Sequence, residues 1–138
     1  MTDVVERARP WSVEGFRGFW ANPSLALVAR ARDSMTGDIV GHWPRPIGLA
    51  RGAADYMAVL EAVVRAGPDL SLSVPEYVEA GDLRFLRWIG TASVEGRRVS
   101  FDGLDRMRIA PDGRVLENYV FCDHPFFDAV AAALARAA

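Results

Sequence analysis

An α+β fold is predicted: a curved antiparallel sheet shaped as a cone, wrapped around three helices from the N-terminal side and followed by a C-terminal helix. Two observations carry this. Helical apolar spacing dominates the first half of the chain and its last dozen residues, and residues 70–122 read as four alternating runs separated by turn signals. Helices first and a meander after indicate a layer in which the sheet folds over the helices. A third observation sets the scale: 138 residues, 51% of them hydrophobic, suit one domain over 1–138 with a real core.

The elements follow in order. Residues 12–21 (SVEGFRGFWA) form a short helix capped by Ser12, with Val13, Phe16, Phe19 and Trp20 as its apolar stripe. Asn22 and Pro23 stop it and restart a second helix over 23–32. Residues 35–43 (MTGDIVGHW) are a strand ended by Pro44 and Pro46. Residues 52–66 are a helix, because Tyr56, Met57, Leu60, Val63 and Val64 recur at helical spacing and Gly67-Pro68 terminates it.

Residues 70–80 alternate, and Pro75 inside them marks an edge strand or a bulge. Gly81-Asp82 turns the chain into a strand over 83–94, Glu95-Gly96 into another over 97–109, and Pro111-Asp112-Gly113 into a last one over 114–122. Residues 125–136 close the chain as a helix opened by Pro125.

Composition excludes several function classes. The 16 basic residues are all arginines and face 18 acids, so the net charge is -2 and a nucleic-acid partner is not expected. Without lysine, neither a Schiff base nor a Walker-type phosphate loop can form. Cys122 is the one cysteine, and His42 and His124 lie in no ligand spacing, so no metal site and no cofactor are expected. A nucleophilic Cys122–His124 pair needs the strand to continue, and Pro125 stops it. No apolar run in the chain approaches membrane length, and the N-terminal MTDVVERARPW carries acids and no apolar core and so does not read as a secretory leader, which predicts a cytoplasmic protein.

One residue breaks the pattern. Along 97–109 side chains alternate faces, so Asp105 falls in phase with Val99, Phe101, Gly103, Met107 and Ile109. A carboxylate on an apolar face is costly unless paired, hydrogen-bonded or protonated, and such groups are enriched at functional sites. The structural alternative is an aspartate tied to a backbone amide or an arginine.

On the strand over 83–94, Leu86, Trp88, Gly90 and Ala92 share one face, while Phe85, Arg87, Ile89 and Thr91 share the other. On the last strand Leu116, Asn118, Val120 and Cys122 oppose Val115, Glu117, Tyr119 and Phe121, leaving Asn118 as a second lone polar group. Four tryptophans suit a roomy aromatic cavity. His42 and Arg87 point away from Trp43 and Asp105, the first to the surface and the second to a subunit interface. Tyr56 and Tyr77 are hydroxyls that the pattern leaves unplaced.

Three features carry a resemblance to a family: DIVGHWP at 38–44 with the helix after it, GRRVSFDGLDRMRIAPDGRVLENYVFCD at 96–123, and the element order. Over residues 12–130 the chain resembles the nuclear-transport-factor-two-like (SnoaL-like) superfamily, which includes ketosteroid isomerases, polyketide cyclases and limonene epoxide hydrolases. The resemblance implies the cone fold, a homodimer through the outer sheet face (Phe85, Ile89, Tyr119, Phe121) and an apolar pocket; activity varies widely in this fold.

Trp43 stands where the isomerases have their base, and Phe16 and Phe19 are the aromatics of a first helix without the isomerase tyrosine. Asp105 matches the isomerase acid that acts protonated, as a hydrogen-bond donor. Leu86, Trp88 and Val120 replace the epoxide hydrolase residues, and Asn118-Tyr119-Val120 replaces the cyclase H-W-D run.

Two readings of function follow. In the first, a cofactor-free isomerase, cyclase or dehydratase acts on an apolar oxygen-bearing metabolite. Asp105 and Asn118 then carry the chemistry in a pocket of Trp43, Trp88, Phe101, Met107, Val120, Phe16 and Phe19. In the second, the domain is a non-catalytic binder of a small apolar molecule, or is kept for its dimer surface.

Overall fold

The computed structural model describes residues 8–138, so the N-terminal reading falls largely outside the described residues. Helices α1 (Val13–Ala21) and α2 (Leu25–Ala31) are followed by a 3-10 turn over Arg32–Ser34, then β1 (Met35–Trp43), β2 (Gly48–Arg51) and α3 (Ala53–Ala66). The meander β3 (Ser71–Ala80), β4 (Leu83–Val94), β5 (Arg97–Ile109) and β6 (Val115–Phe121) precedes α4 (Phe126–Ala137). The strands form one open sheet in the order β2-β1-β6-β5-β4-β3. The fold is α+β, as expected, with four helices and six strands among the described residues.

Local chemistry explains the helix ends. Ser12 Oγ accepts from the Gly15 amide at 3.0 Å and starts α1. Ser24 Oγ accepts from the Leu27 amide at 3.1 Å and starts α2. The expected cap at Asn22 is thereby corrected: Asn22 ends α1, Pro23 lies in the link, and the serine after it offers a side-chain acceptor in the right place.

Three further corrections concern the sheet. The prolines after β1 do not end the story, because residues 44–47 turn back and β2 pairs antiparallel with β1. Gly48-Leu49-Ala50-Arg51 sets its two apolar side chains next to each other, so it carries no alternating pattern. The sheet is also mixed rather than wholly antiparallel, since β1 runs parallel to β6. That pairing joins segments about half the chain apart, which no local pattern encodes.

On β6 the register slips between Arg108 and Ile109, with Leu116 as the extra residue. Val115 is therefore buried beside Asn118 and Val120 instead of facing away from them. Pro75 coincides with both expected devices: β3 is an edge strand, and its register shifts between Ser73 and Glu76.

The core lies between the inner sheet face and the helices. Phe126 and Val130 of α4, Ile39 of β1, Leu86 of β4 and Val28 of α2 are essentially inaccessible. Each such side chain contributes about 1.5–3 kcal/mol on burial. Helix α4 packs along α3, and α3 packs on β1 and β2. Among the described residues no helix is long and apolar enough to cross a membrane.

Candidate functional site

The centre of the sheet delivers Asp105 to the inside. Its backbone pairs with Leu86 of β4 and Val120 of β6. The donors that reach its carboxylate come from the diagonal positions, two residues away on each flanking strand. From β4, the Trp88 indole N–H donates to Oδ1 at 2.9 Å. From β6, Asn118 Nδ2 donates to Oδ2 at 3.0 Å and also to the Tyr56 hydroxyl oxygen at 3.0 Å. Asp105 is 6% exposed and Asn118 1%.

Two glycines make room for this cluster. Gly103 pairs with Trp88, and a Cβ there would overlap the indole ring and lie 2.5 Å from the Phe121 carbonyl oxygen. The indole occupies that space and so reaches Asp105. Gly41 pairs with Asn118; a Cβ there would stand 2.7 Å from both Trp43 Nε1 and the Tyr56 ring. Trp43 and Tyr56 therefore close over bare backbone, their rings 5.3 Å apart.

Burial dominates the electrostatics. It pushes the Asp105 carboxyl up to about 6, against the opposing pull of the Asn118 and Trp88 hydrogen bonds. Burial, and then the Asp105 charge, hold the Tyr56 hydroxyl well above its ordinary value, despite the Asn118 hydrogen bond. Two N–H donors aimed at the carboxylate favour its ionised form, while burial favours the protonated one.

Beside this cluster lies a cavity of about 380 Å³, within the range of small-molecule sites. Every pocket residue expected from the sequence lines it: Trp43, Trp88, Phe101, Met107 and Val120 from the sheet, and Phe16 and Phe19 from α1. Asp105 and Asn118 line it too. The structural alternative for Asp105, an arginine or backbone partner, is not what its oxygens meet: their partners are two side-chain N–H groups.

Tyr56 is the member that sequence reasoning left unplaced. The signal was present, because Tyr56 shares the helical stripe of Leu60 and Val63, which faces the sheet. Tyr77 is exposed, with the Arg17 guanidinium 5.5 Å from its ring centre, and does not line the cavity.

The remaining polar candidates lie elsewhere. His42 sits on the outer sheet face, 3.1 Å from Glu117 Oε2 and stacked on Tyr119. Arg87 is on the same face, 3.9 Å from both Glu76 and Asp102 carboxylates. Cys122 lies past the end of β6, and burial raises its thiol pKa. His124 Nδ1 accepts from the Phe126 amide at 3.0 Å and so caps α4, while its ring stacks on Phe101. Among the described residues no group of three or more His, Cys, Asp or Glu is placed to hold a metal ion.

Comparison with known proteins follows the same lines. The SnoaL-like domain family matches residues 13–118. A proposed SnoaL-like polyketide cyclase from Jannaschia sp. CCS1 is similar in structure, with a TM-score of 0.67 at 19% identity, covering 88% of this chain and 90% of that one. IdmH, a proposed polyketide cyclase from Streptomyces antibioticus, gives 0.66 at 21% identity, covering 89% and 95%. A protein of unknown function with a cystatin-like fold from Xanthomonas campestris gives 0.69 at 19% identity, covering 86% and 93%. No curated protein matches. At these identities the structural likenesses speak for the fold, and the family match over most of the length decides membership: the chain belongs to the SnoaL-like domain family.

Proposed function

We propose that this SnoaL-like domain is a cofactor-free isomerase, cyclase or lyase that works on an apolar, oxygen-bearing metabolite, with Asp105 as its acid–base group. One observation carries the reading: a buried carboxyl with a pKa pushed to about 6 lies beside an apolar cavity with only neutral hydrogen-bond partners. A group titrating there is ionised at neutral pH yet retains basicity, which suits it to take a proton from carbon beside a carbonyl. Asn118 orients the carboxylate and couples it to Tyr56, whose raised pKa keeps its hydroxyl protonated.

The test is deuterium exchange at carbon. Wild type and Asp105→Asn are incubated with apolar cyclic ketones in D2O and followed by NMR. Wild type is expected to accelerate exchange, and the variant to lose roughly 10²–10⁴-fold. Exchange unchanged by Asp105→Asn sinks the assignment.

A second reading, a non-catalytic binder, is favoured by a specific feature: among the described residues Asp105 is, apart from Tyr56, the one titratable group at the buried end of the cavity, so none of them stands by as a second acid or base. Under that reading wild type binds such compounds without exchanging them. Both readings keep a homodimer through the outer sheet face, supported by Phe121 at 50% exposure and by the half-buried Phe85, Ile89 and Tyr119 of the same face.

A further inference from the structure

Charge is laid out unevenly along the cavity. Among the described residues its lining holds one acid, Asp105, and two cations, Arg9 and Arg30. Asp105 is 6% exposed, whereas both arginines are exposed. The buried end therefore carries a carboxyl among apolar side chains, and the solvent end carries two guanidinium groups.

Both arginines are set on backbone that is itself held. Arg9 belongs to a strap over residues 9–11 that lines the cavity along its whole length. The Arg9 N–H donates to the Asp33 carbonyl at 2.8 Å, and the Trp11 N–H to the Gly113 carbonyl at 2.7 Å. Pro10 packs on Gly113, where a Cβ would stand 2.9 Å from the proline Cβ, and the Trp11 ring meets Phe16 edge-on at 6.1 Å. Arg30 comes from the last turn of α2. Leu27, one turn earlier on the same helix, lines the cavity with it.

These two charges are not neutralised in place. Neither guanidinium stands in an ion pair among the described residues, whereas Arg87, Arg98 and Arg108 are each paired with carboxylates. Glu14 of α1 and Asp33 of the 3-10 turn do not line the cavity. An anionic group carried to the buried end would meet the Asp105 carboxyl without a counter-charge. The same group left at the mouth meets two guanidinium groups, which match carboxylate and phosphate oxygens in geometry and sign.

We propose that Arg9 and Arg30 form a rim site for an oxyanion, so that the ligand of this cavity is amphipathic: its apolar body enters first, and a carboxylate or phosphate stays at the mouth against the two guanidinium groups. The proposal rests on the cavity being a ligand site. It adds the chemical class of the ligand's outer end and the direction in which the ligand lies.

The test is a matched series on the full chain at pH 8, titrated by calorimetry: 4-(1-naphthyl)butyrate, its carboxamide and 4-(1-naphthyl)butylammonium. At low ionic strength the carboxylate is expected to bind about fivefold more tightly than the amide, with the ammonium weakest. The preference should shrink in about 0.5 M sodium chloride, because both arginines are exposed. Arg9→Gln and Arg30→Gln together should abolish it while leaving the amide affinity unchanged; a role of these arginines in holding the fold would weaken both compounds alike. 4-(1-Naphthyl)butyl phosphate in the same titration separates the two oxyanions, and the tighter of them names the group. An amide that binds as tightly as both anions, an ammonium that binds best, or a double variant that keeps the preference overturns the rim site while leaving a ligand pocket in place. If the double variant does not fold, the wild-type series and its salt dependence still decide. If none of the compounds binds, the pocket reading falls, and the rim site with it.

Discussion

Trp88 reaches Asp105 across a diagonal of the sheet, its indole N–H 2.9 Å from Oδ1, through the space that Gly103 leaves open between them. Among the described residues the bond is the only polar contact of the indole. Together with the Asn118 amide from the opposite strand it clamps the carboxylate from both sides.

That clamp opposes burial. Replacing Trp88 by Phe removes a donor that favours the charged form, so the Asp105 pKa should rise further above 6. Carbon-13 NMR titration of the Asp105 carboxyl reads this directly. A midpoint that stays put, or falls, shows that the indole does not stabilise the charge.

Asp105 also makes stability depend on pH. Its folded value, about 6, lies above the ordinary 3.8, so the folded chain holds this proton more tightly than the unfolded chain. The contribution is fully present below pH 3.8 and is lost as pH rises through 6, a change on the order of 3 kcal/mol. Asp105→Asn removes the titration. Relative to wild type, the variant should gain stability between pH 4 and pH 8 in urea unfolding. A difference that is flat across that interval contradicts the burial argument.

Gly103→Ala sets a methyl group against the Trp88 ring and the Phe121 carbonyl. The indole has to move, and overpacking of this kind costs about 1–3 kcal/mol. Urea unfolding and the Asp105 titration should change together. Loss of stability with an unaltered Asp105 pKa shows that Trp88 keeps its place and the strand yields instead.

Tyr56→Phe removes the hydroxyl oxygen that accepts an Asn118 hydrogen, leaving a buried donor unpaired. The expected loss is about 1–3 kcal/mol in chemical denaturation. A variant as stable as wild type shows that Asn118 finds another partner.

Phe121→Asp places a charge on the outer sheet face where a second copy is proposed to pack. Wild type should sediment as a dimer at micromolar concentration and the variant as a monomer, with the Asp105 titration unchanged because it lies on the opposite face. A monomeric wild type removes the dimer from the reading.

Periodicity along the chain put Asp105 in phase with Phe101 and Met107, grouped Trp88 with Leu86, and singled out Asn118 as a lone polar group beside Val120; the place of Trp43 in the pocket came from the family resemblance. The reason is that strand side chains alternate strictly, so phase is written locally wherever the strand is regular. Phase failed at Val115, because the bulge at Leu116 depends on the register with β5, a property of two strands together. The short β2 and the parallel β1–β6 pairing were likewise hidden, since both are settled by long-range hydrogen bonds and not by any pattern within one segment. The chemistry of the site belongs to that second kind. The diagonal contacts of Trp88 and Asn118 with Asp105, the arrival of Tyr56 from α3, and the burial that lifts the carboxyl pKa all arise from strands and a helix meeting in space. The sequence by itself determined which residues of a regular strand share a face; only the tertiary structure decided which face turns inward and which residues touch, because contact across a sheet depends on register and closeness that no single strand contains.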